Sequence, residues 1–442
     1  MKICSKRAFK RIAIGLGLLI GLALLVNGVL AWRAQHRWNQ MITDLRAAGE
    51  PTSISDLSPK PIPPADNAAT YIQQTADELA AYWKDYDKFE RTPAGQEYDQ
   101  ARYNRGFPNA EQVTAMNKIL DKHAAILPVL AKAARCREYA SLLNFQLPAT
   151  KFLESLMSNQ NVGTIRGAFN FLYWHAAAKI AAGKVDEATE LGIQMLHLAT
   201  LCSHEPTIMQ YLLSMAMRDY AYEVINAALR AGPISPEVRR NLDAALAEQE
   251  SRTPLQHALR SDRAFAISEL ELEEQSGKIP AFLHWPITNW QLNVMSIFDV
   301  ALSAAALPPA EFHWSWNPQR RRAMPTPQIA ALEGNNPLVT SELAVFESDT
   351  RNLLISRCLR VLNAMEAIQQ QDGKEVDDIE LLSLPREATT DPISQKPLRL
   401  KKTDQGLVIY SVWWNGVDDN GRFNYRTGDW GIGPPGYPIE HE

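Results

Sequence analysis

The feature that most constrains this chain is an apolar run from Ile12 to Trp32, interrupted only by glycines and Asn27 and preceded by Lys2, Lys6, Arg7, Lys10 and Arg11. A helix rises about 1.5 Å per residue, so a run of this length matches a hydrocarbon core roughly 30 Å thick. Lipid offers no hydrogen-bond partners, and a helix satisfies its own backbone. The basic flank lies on the N-terminal side, which places the N-terminus in the cytoplasm and everything after Trp32 outside. A cleaved signal peptide is the competing reading, because Val29-Leu30-Ala31 offers small or medium residues before a cut. The run exceeds the roughly 7–15 apolar residues of a signal peptide, and this favours a retained anchor. A buried core helix fits poorly, since no other segment is as uniformly apolar.

The remaining sequence is long enough for a sizeable core, and 46% hydrophobic with 21% charged residues is ordinary for a folded protein. A net charge of −5 gives no reason to expect nucleic acid as a partner. The dense basic run Arg320-Arg321-Arg322 sits in a Pro-rich stretch and reads as a solvated loop, with anionic headgroups as the sharper alternative. Of four cysteines, Cys4 falls on the cytoplasmic side and Cys136, Cys202 and Cys358 fall outside. None has metal-site spacing, so at most one disulfide is expected, with buried thiols equally compatible.

The chain divides into five stretches by pattern. Residues 1–33 form the basic flank and anchor. Residues 34–67 form a helical stalk (Ala34 to Ala48) and a linker broken by Pro51, Pro59, Pro61, Pro63 and Pro64. Residues 68–278 are helical nearly throughout, with apolar residues recurring at three and four. Gly183-Lys-Val185-Asp-Glu-Ala188 looks like the turn of a tetratricopeptide-type hairpin, with Gly183 as the stop and Asp186 as a cap for the next helix. A second pair spans Pro206 to Arg230 and Ser235 to Gln249, with Gly232 ending the first helix and Ser235-Pro236 starting the second. The turns are about 50 residues apart, not the repeat of 34, so an irregular helical-hairpin array is expected, with a compact helical domain without repeats as the alternative.

Residues 279–341 are rich in Trp and Pro. Within them Leu292 to Leu307 is apolar but too short to span; it is expected to pack on the array, with a membrane-facing surface helix as the alternative. Residues 342–442 form a small α+β module. It opens with an amphipathic helix, Leu343 to Gln371, carrying Leu354, Cys358, Val361, Met365 and Ile368 on one stripe. Strands at Leu398 to Lys402 and Leu407 to Val412 follow around Asp404-Gln-Gly406, a hairpin turn sequence. The fold class is therefore mainly α: a transmembrane helix, a tetratricopeptide-like array and a C-terminal α+β module with a β-hairpin.

The order Asp391-Pro-Ile-Ser-Gln-Lys-Pro-Leu398, Ile409-Tyr-Ser-Val412, Asn415-Gly-Val-Asp-Asp-Asn-Gly421 resembles the C-terminal module of uncharacterised families of anchored bacterial envelope proteins. Gly49-Glu-Pro51, the Pro-rich linker and Asn67-Ala-Ala69 are similar to their N-terminal halves. The module is in turn similar to the soluble part of type II secretion major pseudopilins, over about the last hundred residues. That resemblance implies a calcium-binding acidic loop. Trp413-Trp414 replaces the Gly-Pro usual before Asn-Gly, and the N-terminus lacks a prepilin cleavage motif, so a pilus subunit is not expected.

Calcium takes six to eight oxygens, and Asn415, Asp418, Asp419 and Asn420, with Asp429 as a further donor, offer them. Spacing alone favours a solvated turn, because the bidentate Glu of an EF-hand is missing; the resemblance raises the calcium reading. Gly431-Ile-Gly433-Pro-Pro-Gly436 matches G-x-G-x-x-G literally but lacks room for the helix that a dinucleotide site needs. His197, Cys202, His204 and Glu205 cluster before Pro206 and read as structural. Asp377-Asp378 and Glu271, Glu273 and Glu274 read as solvated faces. No H-E-x-x-H, G-x-S-x-G or P-loop occurs.

The expectation is a single-pass protein of the cytoplasmic (inner) membrane whose periplasmic part is a non-catalytic interaction or structural component of the envelope, with a protein partner. An extracytoplasmic hydrolase with a site in the helical domain, or an accessory component of a secretion or pilus-like machine, are the alternatives. No cofactor is required; calcium is the single candidate.

Overall fold

The computed structural model describes residues 6–103, 105–158, 162–275, 280, 283–314, 337–373, 376–424 and 428–440. The Arg320–Arg322 run and most of the Trp/Pro-rich segment lie outside the described residues. Anchor and stalk form one helix, α1 (Lys6–Ala47). No proline interrupts the sequence between Trp32 and Ala47, and Gly49, at φ +74°, marks the turn that follows. The stalk is not free-standing. Ala34, Trp38 and Ile42 are buried, whereas most of the Leu, Ile and Val side chains between Ile12 and Trp32 are exposed.

The array begins after the linker, with α2 (Ala68–Gln74), α3 (Ala76–Glu90), α4 (Pro93–Tyr103), α5 (Ala110–Lys122), α6 (Ile126–Ala133) and α7 (Ala149–Leu156). Asn67 fixes its entry: the side chain accepts from the Ala69 and Ala140 amides at 3.1 and 3.0 Å and donates to the Ala140 carbonyl at 2.9 Å. Then come α8 (Thr164–Ala181), α9 (Val185–Ser203), α10 (Ile208–Ala231) and α11 (Pro236–Glu248). Helix α8 is the centre of the core, buried almost all round between Thr164 and Ala177, as expected of a helix apolar on every side. Tyr82, Tyr86 and Phe89 recur at helical spacing on α3; Tyr82 meets Phe171 of α8, and Tyr86 and Phe89 meet Trp174, with Tyr98 of α4 closing the cluster at 4.7 Å between ring centroids. Gly192 lets α9 approach α10 closely: a Cβ there would lie 2.7 Å from Ile225.

The hairpin turn at Gly183 (φ +70°) forms where the sequence places it, but Asp186 does not cap its own helix. Its carboxylate accepts from the Ser235 amide at 2.8 Å and so positions the residue that caps α11. Ser235 in turn accepts from the Val238 amide, with Pro236 in the first turn.

Two long helices, α12 (Thr253–Gln275) and α13 (His284–Ala305), lean against the C-terminal end of α1, followed by a short α14 (Pro309–Trp314). Trp38 and Ile42 of α1 share a cluster with Ile267, Leu270, Val294, Met295 and Phe298. The C-terminal helix α15 (Pro337–Asp372) starts earlier than its apolar stripe suggests and packs on α10 and α11. The hairpin is β1 (Arg399–Thr403) and β2 (Gly406–Ser411), in register Thr403↔Gly406 around Asp404-Gln405. A third antiparallel strand, β4 (Trp430–Ile432), joins β2, and a parallel pair of two-residue strands, β3 (Phe423–Asn424) and β5 (Ile439–Glu440), completes the module. The largest core cluster runs from Ala68 to Ile432, so array and module share one interior. Cys136, Cys202 and Cys358 are buried free thiols.

Candidate functional site

That shared interior opens on one side into a cleft of about 280 Å³ between the array and the module. The end of α4 supplies Tyr103 and the connection to α5 supplies Arg105 and Phe107; α10 supplies Asp219, Tyr222, Glu223 and Asn226; α15 supplies Arg351. The module contributes Phe423, Trp430, Pro434, Pro435 and Tyr437 as apolar and aromatic wall.

The charged groups are held by the two halves jointly. Arg105 adopts φ +55°, donates to the Gly431 carbonyl at 3.1 Å, and lies 4.1 Å from the centre of the Trp430 ring. The Gly436 amide donates back to the Arg105 carbonyl at 3.0 Å, and Asn226 donates to the Gly433 carbonyl at 2.9 Å. Arg351 pairs with Asp219 at 3.3 Å, and 40% of the Asp219 side chain remains open to the cleft. Asp219 and Glu223 stand one helical turn apart on α10.

Burial sets the electrostatics. It pushes the carboxyls of Asp219 and Glu223 above their usual range, against the pull of neighbouring arginines. It lowers the Arg105 guanidinium to about 10, which leaves it charged at neutral pH. The Tyr222 hydroxyl and Glu223 Oε2 are buried and have no hydrogen-bond partner. Tyr222 as a whole is only 3% exposed. A buried polar atom without a partner carries a desolvation cost of about 1–3 kcal/mol.

Of the glycines of the G-x-G-x-x-G match, Gly433 lines this cleft, and these glycines serve a different purpose. A Cβ on Gly431 would lie 2.1 Å from the Ile409 carbonyl in the neighbouring strand, and one on Gly433 would lie 2.6 Å from Tyr437. They permit sheet pairing and a tight return, with no phosphate-binding helix.

The acidic loop lies elsewhere in the module. Asn415 accepts from the Val417 amide at 2.9 Å and donates to Asp419 at 2.8 Å. Asp418 accepts from the Asn420 amide at 3.0 Å and the Tyr410 hydroxyl at 3.1 Å, and pairs with Arg399. Asp429 is fully buried behind the loop; one oxygen accepts from the Gly421 amide at 2.7 Å, and the other has no partner. Burial, with Asp418 and Asp419 nearby, pushes its carboxyl up to about 6. Asp429 Oδ1 is thus a vacant hard donor beside two further carboxylates, the chemistry that calcium takes. Asp418 is already committed to Arg399 and Tyr410, and among the described residues no three His, Cys, Asp or Glu side chains converge as a metal site.

The other singled-out residues are spent on structure. His197 Nε2 contacts the Cys136 carbonyl at 2.8 Å, Cys202 is fully buried, and Glu205 accepts from the Ser141 amide at 2.9 Å and from the Ser141 hydroxyl. His204 is exposed at the helix end. The cleft residues Arg105, Asp219, Tyr222, Glu223 and Arg351 were not anticipated from sequence. The available signal was the pair of acids Asp219 and Glu223, one turn apart in a largely buried helix. No protein-family model, curated protein or solved structure matches the chain.

Proposed function

We propose that this chain is a single-pass, membrane-anchored envelope protein whose extracytoplasmic body is a non-catalytic interaction component, capturing a short segment of a partner protein in the cleft between array and module. The observation that carries this reading is the cleft itself: two arginines and two carboxylates on its floor, and aromatic and proline walls. At about 280 Å³ it is at the small end of ligand sites, room for one or two residues. A segment bearing both charge signs beside an apolar side chain meets every group present. The lining contains no His, the residue most used for proton transfer near neutral pH.

A photo-crosslinker placed at Tyr103, 63% exposed on the rim, tests this in the native membrane. The expected result is a defined protein adduct that Glu223→Gln and Arg351→Gln each reduce at least tenfold. Adducts no different from those formed at the exposed Leu381 would contradict the proposal. A hydrolytic role has one observation in its favour, the raised carboxyls of Asp219 and Glu223 one turn apart. Its mark would be turnover of an envelope glycan or peptide by the purified protein, abolished by Glu223→Gln.

We also propose that the loop at Asn415, Asp418, Asp419 and Asn420 takes calcium with Asp429, supported by the vacant buried oxygen of Asp429. Millimolar calcium should then raise the melting temperature of the full chain, and Asp429→Asn should remove the rise. An unchanged melting temperature in the unsubstituted chain would end the idea.

A further inference from the structure

We propose that the tip formed by the C-terminal end of α12 (to Gln275) and the N-terminal end of α13 (from His284, with Leu283) is seated in the interfacial layer of the same bilayer that α1 crosses, so that the body rests on the membrane instead of standing off on a stalk. The inference rests on reading α1 as a membrane span and adds a second point of lipid contact.

Three observations carry it. The first is which way the helices run. Glu50, just beyond the end of α1, pairs with Arg260 and Arg263 of α12 at 3.2 and 2.7 Å, and Arg263 reaches Asp299 of α13 at 3.5 Å. These groups mark the end of the three-helix contact far from the membrane. Trp38 and Ile42 meet Ile267, Leu270, Val294 and Met295 nearer to it. Helix α13 therefore descends toward the bilayer as it is followed back to His284. At 1.5 Å per residue, Asp299 to Trp285 covers roughly 21 Å and Ala47 to Trp32 roughly 22 Å. Trp285 comes level with Trp32, the last residue of the apolar run.

The second is the burial stripe on α1. Ala34, Trp38 and Ile42 are buried, and the stripe continues at three- and four-residue spacing through Ala31, Leu30 and Asn27, each partly covered. Their neighbours Leu24, Leu25, Val26, Val29 and Trp32 are 45–68% exposed. Partial cover on this face of α1 thus continues below Ala34 into the end of the apolar run.

The third is what the tip presents. Leu272, Leu283, Trp285 and Trp290 are 37–51% exposed there. Tryptophan is favoured at the membrane–water boundary, where its ring lies among headgroups and its N–H stays wet. No Lys or Arg occurs between Arg263 and Gln275 or within α13, and Glu269, Glu271, Glu273 and Glu274 lie at this end of α12, so the lipid contact is made by the aromatic and apolar side chains and not by electrostatic attraction to anionic lipid.

The full chain in phosphatidylcholine nanodiscs provides the test, with p-benzoylphenylalanine introduced singly at Leu18, Trp285, Trp290 and Leu381, followed by mass spectrometry of lipid adducts. Leu18 reports the span and Leu381 an exposed apolar site on the C-terminal part of the chain. Lipid adducts at Leu18, Trp285 and Trp290, at least tenfold above Leu381, are expected. Adducts at Leu18 with Trp285 and Trp290 at the Leu381 level would overturn the seating and leave the span intact. No adducts at Leu18 would overturn the span and the seating with it.

Discussion

His175 shows how a single buried group makes this fold sensitive to pH. It stacks edge-on against Phe171 at 4.6 Å, Nε2 has no partner, and burial lowers its pKa to about 4. The unfolded chain, with a pKa near 6.5, binds more protons than the folded one between these values. Stability from this residue is present above about pH 6.5 and is lost as pH falls toward 4. At pH 5 the loss is about 1–2 kcal/mol after allowance for partial exposure. His175→Phe should therefore flatten the dependence of urea-unfolding stability on pH between 7 and 5; an unchanged slope would show that His175 does not titrate there. Residue identity also decided what the sequence could disclose. Ser235-Pro236 was legible as a helix start because a cap acts within four residues. The role of Asp186 was not, since its partner amide is 49 residues away.

At the level of elements, the long helix α15 is tied down by a charge network as well as by its apolar stripe. Arg360 makes a two-pronged contact with Asp243 of α11 at 2.8 and 3.2 Å, and reaches Glu250 at 2.6 Å, while Arg357 reaches the other oxygen of Glu250 at 3.2 Å. The Arg360 side chain is 7% exposed, and its loss would leave Asp243 without this partner and Glu250 with Arg357 alone. Arg360→Met, which keeps the volume, should lower stability by about 2–3 kcal/mol in urea unfolding; a change within about 0.5 kcal/mol would mean that the network contributes only geometry. The hairpin β1–β2 was readable from alternation around Asp404-Gln-Gly406. Strands β3 and β5 were not, because two-residue strands carry no period and pair only after the C-terminus folds back. The stalk was readable as a helix, but its clamping by α12 and α13 depends on long-range packing that no local pattern encodes.

For the whole molecule, the anchor and the cleft belong to one argument. Helix α1 is long and apolar enough to cross a membrane, and its continuation is gripped by α12 and α13, which ties the body to that helix. Array and module share a core, so the cleft between them has rigid walls built by residues more than 300 positions apart in sequence, such as Arg105 and Gly431. This separation explains why the cleft could not be read from motifs, whereas the anchor, a local property, could. The central claim is that this body faces the extracytoplasmic side from a single span. The most direct measurement is protease treatment of right-side-out membrane vesicles containing the full chain. The account predicts digestion of everything beyond Trp32, with only the N-terminal basic flank and span protected. Complete protection in right-side-out vesicles, with digestion in inverted ones, would contradict it.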